Sequence, residues 1–167
     1  MLGAMSLRFL PFLFLLLLSA CKGRVTWVHV VPTNYQGFLV IRYDCPSGVP
    51  LPQNGQTISV TYSTNGTFCT TNGSVTPWRG SVTCRDAAGK SIPFVGLPWA
   101  AQGTLPPKAL CGGEETRMNV MGKNFHLGIM WVGDPKRFAA VRNTPQYQKE
   151  LNEFLNKEIG VPKIEMD

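Results

Sequence analysis

Two histidines in 167 residues leave little material for metal or proton-transfer chemistry. Neither His29 nor His126 stands in an H-E-x-x-H or E-x-x-H arrangement, and no two cysteines are spaced C-x-x-C, so the ordinary zinc patterns are missing. A G-x-S-x-G elbow and a glycine-rich phosphate loop are missing too, which removes the common signatures of serine hydrolases and nucleotide enzymes. Acidic side chains number only ten. Asp44 and Asp86 fall at strand ends close to cysteines, Glu114 and Glu115 would point to opposite sides of an extended chain, and Asp134 precedes a proline as a helix cap. None of these nominates the carboxylate pair of a glycosidase. Charged residues make up 16% and hydrophobic residues 44% of the chain. That balance excludes a disordered tail, a multi-span membrane protein and a large multidomain enzyme. The sequence implies one folded domain, no metal, no cofactor and no enzymatic activity.

What is present begins at the N-terminus. Arg8 precedes the apolar run Phe9 to Leu18, too short for a comfortable membrane span and of the right length for a signal peptide. Leu18-Ser19-Ala20-Cys21 resembles the lipobox of bacterial lipoproteins, in which the cysteine thiol receives a diacylglycerol. The expected division is a lipoprotein signal peptide at 1–20, a lipidated anchor and short tether at 21–24, a β-sandwich domain at 25–133 and a helical segment at 134–160 packed on the same domain. The expected location is the bacterial cell envelope, with the membrane as a partner through Cys21. In a two-membrane source, Lys22 after the anchor favours the outer membrane, facing the periplasm. Residues 1–20 carry Arg8 and no acid, so their removal lowers the net charge of +6 by one. The remaining bases are scattered, which suits weak attraction to anionic surfaces and not nucleic-acid binding.

Four other cysteines remain in an oxidising compartment: Cys45, Cys69, Cys84 and Cys111. Two disulfides are expected. Four cysteines allow three pairings, and the adjacency of segments favours Cys45 with Cys69 and Cys84 with Cys111.

Most of the chain reads as strands. Val25 to Val31 is β-branched and aromatic and ends at Pro32; Gly37 to Tyr43 is apolar enough to be central. Thr57 to Tyr62 alternates strictly, and strand character recurs at Ser81 to Arg85, Ser91 to Val95, Thr116 to Val120 and Phe125 to Val132. Asn54-Gly55, Asn65-Gly66, Asn72-Gly73, Ala88-Gly89 and Gly122 supply the turns between them. From Gly96 to Glu115 the pattern dissolves into a long loop, with Cys111 as its expected crosslink. Asp134-Pro135 and Thr144-Pro145 are helix starts; Tyr147, Leu151, Phe154 and Leu155 form one apolar stripe, and Gly160 ends it. The fold class implied is mainly β, an antiparallel β-sandwich or open barrel with one or two C-terminal helices.

Trp78 and Trp99 stand in Pro-flanked, loop-like sequence and are the candidate binding residues. The order Val31-Pro32-x-x-Tyr35-x-Gly37, an apolar strand, Gly48-Val49-Pro50-Leu51-Pro52, an alternating strand, Asn-Gly and Cys69-Thr70-Thr71 resembles a family of small uncharacterised bacterial lipoproteins carrying a domain of unknown function. The likeness extends to Gly128 through Asp134 and the helix after it, although Asp134-Pro135-Lys136-Arg137 stands where that family tends to be acidic. The resemblance implies export and a β-rich domain, and it assigns no catalytic residue. The expected role is a non-enzymatic binding module for an envelope protein partner, of immunity, inhibitor or assembly type. The alternative is an accessory module for cell-wall or surface polysaccharide, with a hydrolase as the remote third.

Overall fold

In the computed structural model the described residues are 25–73, 80–95 and 105–162. They form two five-stranded sheets, one of them curled as a half-barrel, with two helices at the C-terminal end. The strands are β1 (Thr26–Val31), β2 (Gly37–Tyr43), β3 (Gln53–Asn54), β4 (Thr57–Thr61), β5 (Thr67–Cys69), β6 (Ser81–Asp86), β7 (Ser91–Ile92), β8 (Phe94–Val95), β9 (Ala109–Val120) and β10 (Lys123–Gly133). The helices are α1 (Pro135–Val141) and α2 (Pro145–Phe154), the second running on into a π-helical turn, Leu155–Ile159.

The first sheet has the order β3-β4-β1-β6-β7 and the second β5-β2-β10-β9-β8. The mainly β class with helical cover is therefore present, but the pairing is mixed. β1 runs parallel to both β4 and β6, and β2 runs parallel to β5. The cause is the path of the chain, which crosses to the other sheet after β1, β2, β4, β5 and β7. The returns into β5, β6 and β8 run in the direction of the strand each joins, whereas the return through β3 doubles back into β4 as an antiparallel hairpin. The antiparallel expectation holds for β2, β10 and β9, which form the long central ladder of the second sheet.

Alternation along these strands builds two cores. Trp27, Val31, Ile58, Val60 and Cys84 of the first sheet meet Leu39, Ile41, Tyr43, Leu110, Met130 and Val132 of the second. On the opposite face of the second sheet, Phe38, Val40, Cys111, Leu127 and Ile129 pack under Phe138 of α1, Tyr147 and Leu151 of α2 and Leu155 of the π-helical turn. β2 and β10 lie between two apolar layers, which explains why both read as continuous apolar runs. The helix starts are as expected: Asp134 accepts from the Lys136 amide and Thr144 from the Tyr147 amide, each with proline in the first turn.

Two expectations are corrected here. Cys45 and Cys69 form a disulfide with Cα atoms 5.8 Å apart, but Cys84 and Cys111 are free thiols, both buried. Cys84 faces the core between the sheets, whereas Cys111 points through the other face of the second sheet toward the helices. Alternation along β9, which sends Leu110 inward and Cys111 outward, keeps the two thiols apart. The long loop is also shorter than expected, since Ala109 to Glu115 belong to β9. Residues 96–104 lie outside the described residues.

Candidate functional site

Gly112 and Gly113, at φ +85° and +132°, carry a β-bulge in β9 opposite Ile129 and Met130 of β10. An extra residue in a strand reverses which side chains face which way. Before the bulge Leu110 points between the sheets; after it Glu115 and Arg117 take that face, opposite Gly128 and His126. The bulge therefore delivers an acid and a base to the one histidine of β10.

His126 is buried, 7% exposed, with its ring 5.0 Å from that of Tyr43. Glu115 Oε1 lies 2.5 Å from Nε2 and Asp44 Oδ2 lies 3.4 Å from Nδ1. Arg117 Nε is 3.4 Å from the same Nε2. A ring protonated at Nε2 donates to Glu115, and a ring with Nε2 bare accepts from Arg117. Asp44, immediately after β2, holds a left-handed backbone at φ +50°; aspartate is among the few residues that tolerate that conformation. Next to it the Cys45–Cys69 bond ties the end of β2 to β5, and the amides of Asp44 and Cys45 donate to the carbonyls of Asn72 and Thr70. Burial, reinforced by the Glu115 charge, raises the Tyr43 hydroxyl above its usual range. That hydroxyl finds no hydrogen-bond partner among the described residues.

The cluster forms one wall of a cleft of about 730 Å³ lined by Asp44, Gly73, Arg117, Met118, Asn119, Asn124, Phe125 and His126. Its origin is in the register. β10 pairs with β2 only as far as His126 opposite Tyr43, so Lys123 to Phe125 and the facing part of β9 run beyond the sheet as a two-stranded ribbon. Met118 and Val120 turn toward the helix-side core, while Asn119 and Asn124, exposed and joined at 2.7 Å, belong to the polar lining. Among the described lining residues there is no serine, threonine, cysteine or lysine to act as a nucleophile. Among the described residues no group of three or more His, Cys, Asp or Glu is placed to hold a metal. The arrangement presents donors and acceptors of both charges on a braced wall.

The other expected residues fall elsewhere. His29 is 1% exposed between the sheets, stacked between Trp27 and Tyr62, with Nδ1 3.0 Å from the Tyr62 hydroxyl. Burial lowers its pKa to about 4. The two histidines form no joint site. Cys21, Trp78 and Trp99 lie outside the described residues. Sequence reasoning missed the Asp44, Glu115, Arg117 and His126 cluster because its members are brought together by strand register and a bulge. The available signal was the pair of glycines after Cys111, which reads as a loop and serves as a bulge.

No family model matches the chain, and no curated protein matches it. A crystal structure from Bacillus anthracis, named "Putative Lipoprotein", is similar in chain trace, with 16% identity and a TM-score of 0.49 over 80% of this chain and 96% of that one.

Proposed function

We propose that this protein is a non-enzymatic binding module, held on the bacterial envelope by lipid on Cys21, and that it grips a protein partner with the polar cleft beside His126. The observation that carries the reading is the braced wall: a buried histidine fixed by Asp44, Glu115 and Arg117 opens onto a cleft of about 730 Å³. Side chains already locked by mutual contacts lose little entropy when a partner arrives, which is how a small site gains affinity. The lipobox-like Leu18-Ser19-Ala20-Cys21 supports the anchor; acyl chains contribute about 0.8 kcal/mol per buried CH₂.

The test compares the wild-type chain with Asn119→Ala/Asn124→Ala, both exposed on the cleft wall, in capture of envelope proteins from the native host after mild crosslinking. A stoichiometric protein retained by the wild type and lost by the variant, with unchanged melting temperature, supports the reading. A protein retained equally by both removes the cleft from it. Retention of isolated cell-wall polymer that survives high salt, with no protein captured, favours the polysaccharide alternative, because simple charge attraction is screened.

A further inference from the structure

We propose that the tip of the β9–β10 hairpin, Met121 with Lys123, rests on the surface of the bilayer to which the chain is tethered, so that the tethered end of the sandwich is also its membrane-docking face. The proposal rests on the reading of Cys21 as lipidated.

Topology puts tip and tether at one end. The short link Pro32 to Gln36 joins the last residue of β1 to the first of β2, so Val31 and Gly37 share one end of the sandwich. Thr26, where the tether enters, and Tyr43 therefore share the other. At that end β10 pairs with β2 no further than His126 opposite Tyr43. At about 3.4 Å per residue, the turn at Met121 and Gly122 stands roughly 15 Å beyond the end of β2. Four residues, 21–24, separate the lipid from Val25, and fully extended they reach at most about 14 Å. A bilayer close enough to hold the lipid is close enough to meet the hairpin.

The chemistry of the tip fits that partner. Met121 is 85% exposed, the most exposed of the large apolar side chains among the described residues. It also occupies a left-handed position, φ +51°, followed by Gly122 at +76°. This is the two-residue turn in which asparagine is the favoured first residue and an unbranched apolar side chain is not. The side chain is thus held outward at a cost to the backbone. Lys123 is exposed beside it, Arg117 is exposed lower on the ribbon opposite His126, and the neighbouring β3–β4 turn, Asn54 to Gln56, is exposed and uncharged. The acids near this end are Asp44 and Glu115, both engaged with His126. A lone apolar tip with a base beside it suits the boundary of an anionic headgroup layer. The cleft then opens beside the membrane, and its partner is met there.

The test uses native side chains. The mature chain is placed on vesicles of phosphatidylethanolamine and phosphatidylglycerol in two forms: acylated by the cell, with the lipid mass verified, and joined chemically through the Cys21 thiol to a maleimide lipid. Water-borne reagents then report Met121 oxidation and the acetylation of Lys123 and Lys90. Lys90 is exposed in the turn after β6, at the opposite end. The expected result is that Met121 and Lys123 react about tenfold more slowly on vesicles than in the lipid-free chain, with Lys90 unchanged. In Met121→Asp, protection of Lys123 should be lost; aspartate accepts the left-handed turn, so folding is not at risk. Equal reactivity of Lys123 and Lys90 on vesicles in the maleimide-linked form overturns the proposal. Absence of cellular acylation, with protection in the linked form, overturns the anchor and leaves the docking face standing.

Discussion

Replacing Cys45 and Cys69 together by alanine removes a bond that closes a loop of sequence separation 24. Chain-entropy arithmetic for a loop of that length gives about 3.5 kcal/mol of stability. The backbone bonds at the same place, Cys45 N to Thr70 O at 2.9 Å and Thr70 N to Arg42 O at 2.9 Å, stay available to the variant. The loss should therefore come close to the entropic value and not exceed it greatly. For a domain of this size it corresponds to a fall in melting temperature of roughly 7–14 °C. The assay is thermal unfolding followed by circular dichroism, without reductant, on a chain beginning at Lys22. The same chain should show no thiol reactive toward a water-soluble disulfide reagent when native, and two when unfolded in denaturant. Cys84 is 4% exposed and Cys111 fully buried, and burial pushes both thiols up to about 12. A destabilisation below about 1 kcal/mol would refute the loop-closure reasoning. No thiol after unfolding would refute the assignment of Cys84 and Cys111 to opposite faces of the second sheet.

Other perturbations probe separate parts of the structure. Burial lowers the His29 pKa from 6.5 to about 4, so between those values the unfolded chain binds the proton and the folded one does not. Stability should be full above pH 6.5 and fall by on the order of 3 kcal/mol as pH drops to 4; in urea titrations His29→Phe should flatten that slope, and an unchanged slope would contradict it. Met121→Asn should raise stability by about 0.5–1 kcal/mol by relieving the left-handed methionine; a loss would mean that Met121 makes contacts not accounted for. Leu155→Ala, at a position 2% exposed beneath the second sheet, should cost about 2–5 kcal/mol in chemical denaturation. A cost under 1 would indicate that the helical layer is not part of the core.

Local chemistry was legible where one residue decides one thing. The proline-led helix starts, the stripe Tyr147, Leu151 and Leu155, and the alternation of Thr57 to Thr61 all appear as read. Pairing was not legible, because a strand's own alternation says which face is buried and nothing about which sheet it joins. That is why β1, β4 and β6 lie parallel where hairpins were expected. Pro93 hid a related feature: Ser91 to Val95 read as one strand, but its two halves belong to different sheets. β5 was missed because Thr67 to Cys69 is too short to show a period. At the cleft, Asp44 and His126 lie far apart in sequence, and only the register of β10 on β2 joins them. Glu115 and Arg117 join the same face only because the Gly112–Gly113 bulge shifts the parity of β9.

The central claim is that the cleft beside His126 holds a protein at the membrane. A photo-crosslinking residue at Asn119, on the cleft wall, and another at Ala88, in the exposed turn after β6, should be introduced separately into the chain in its own host and irradiated in whole cells. The account predicts one membrane-associated protein joined through position 119 and absent from position 88. The same products at both positions, or none at 119, would contradict it.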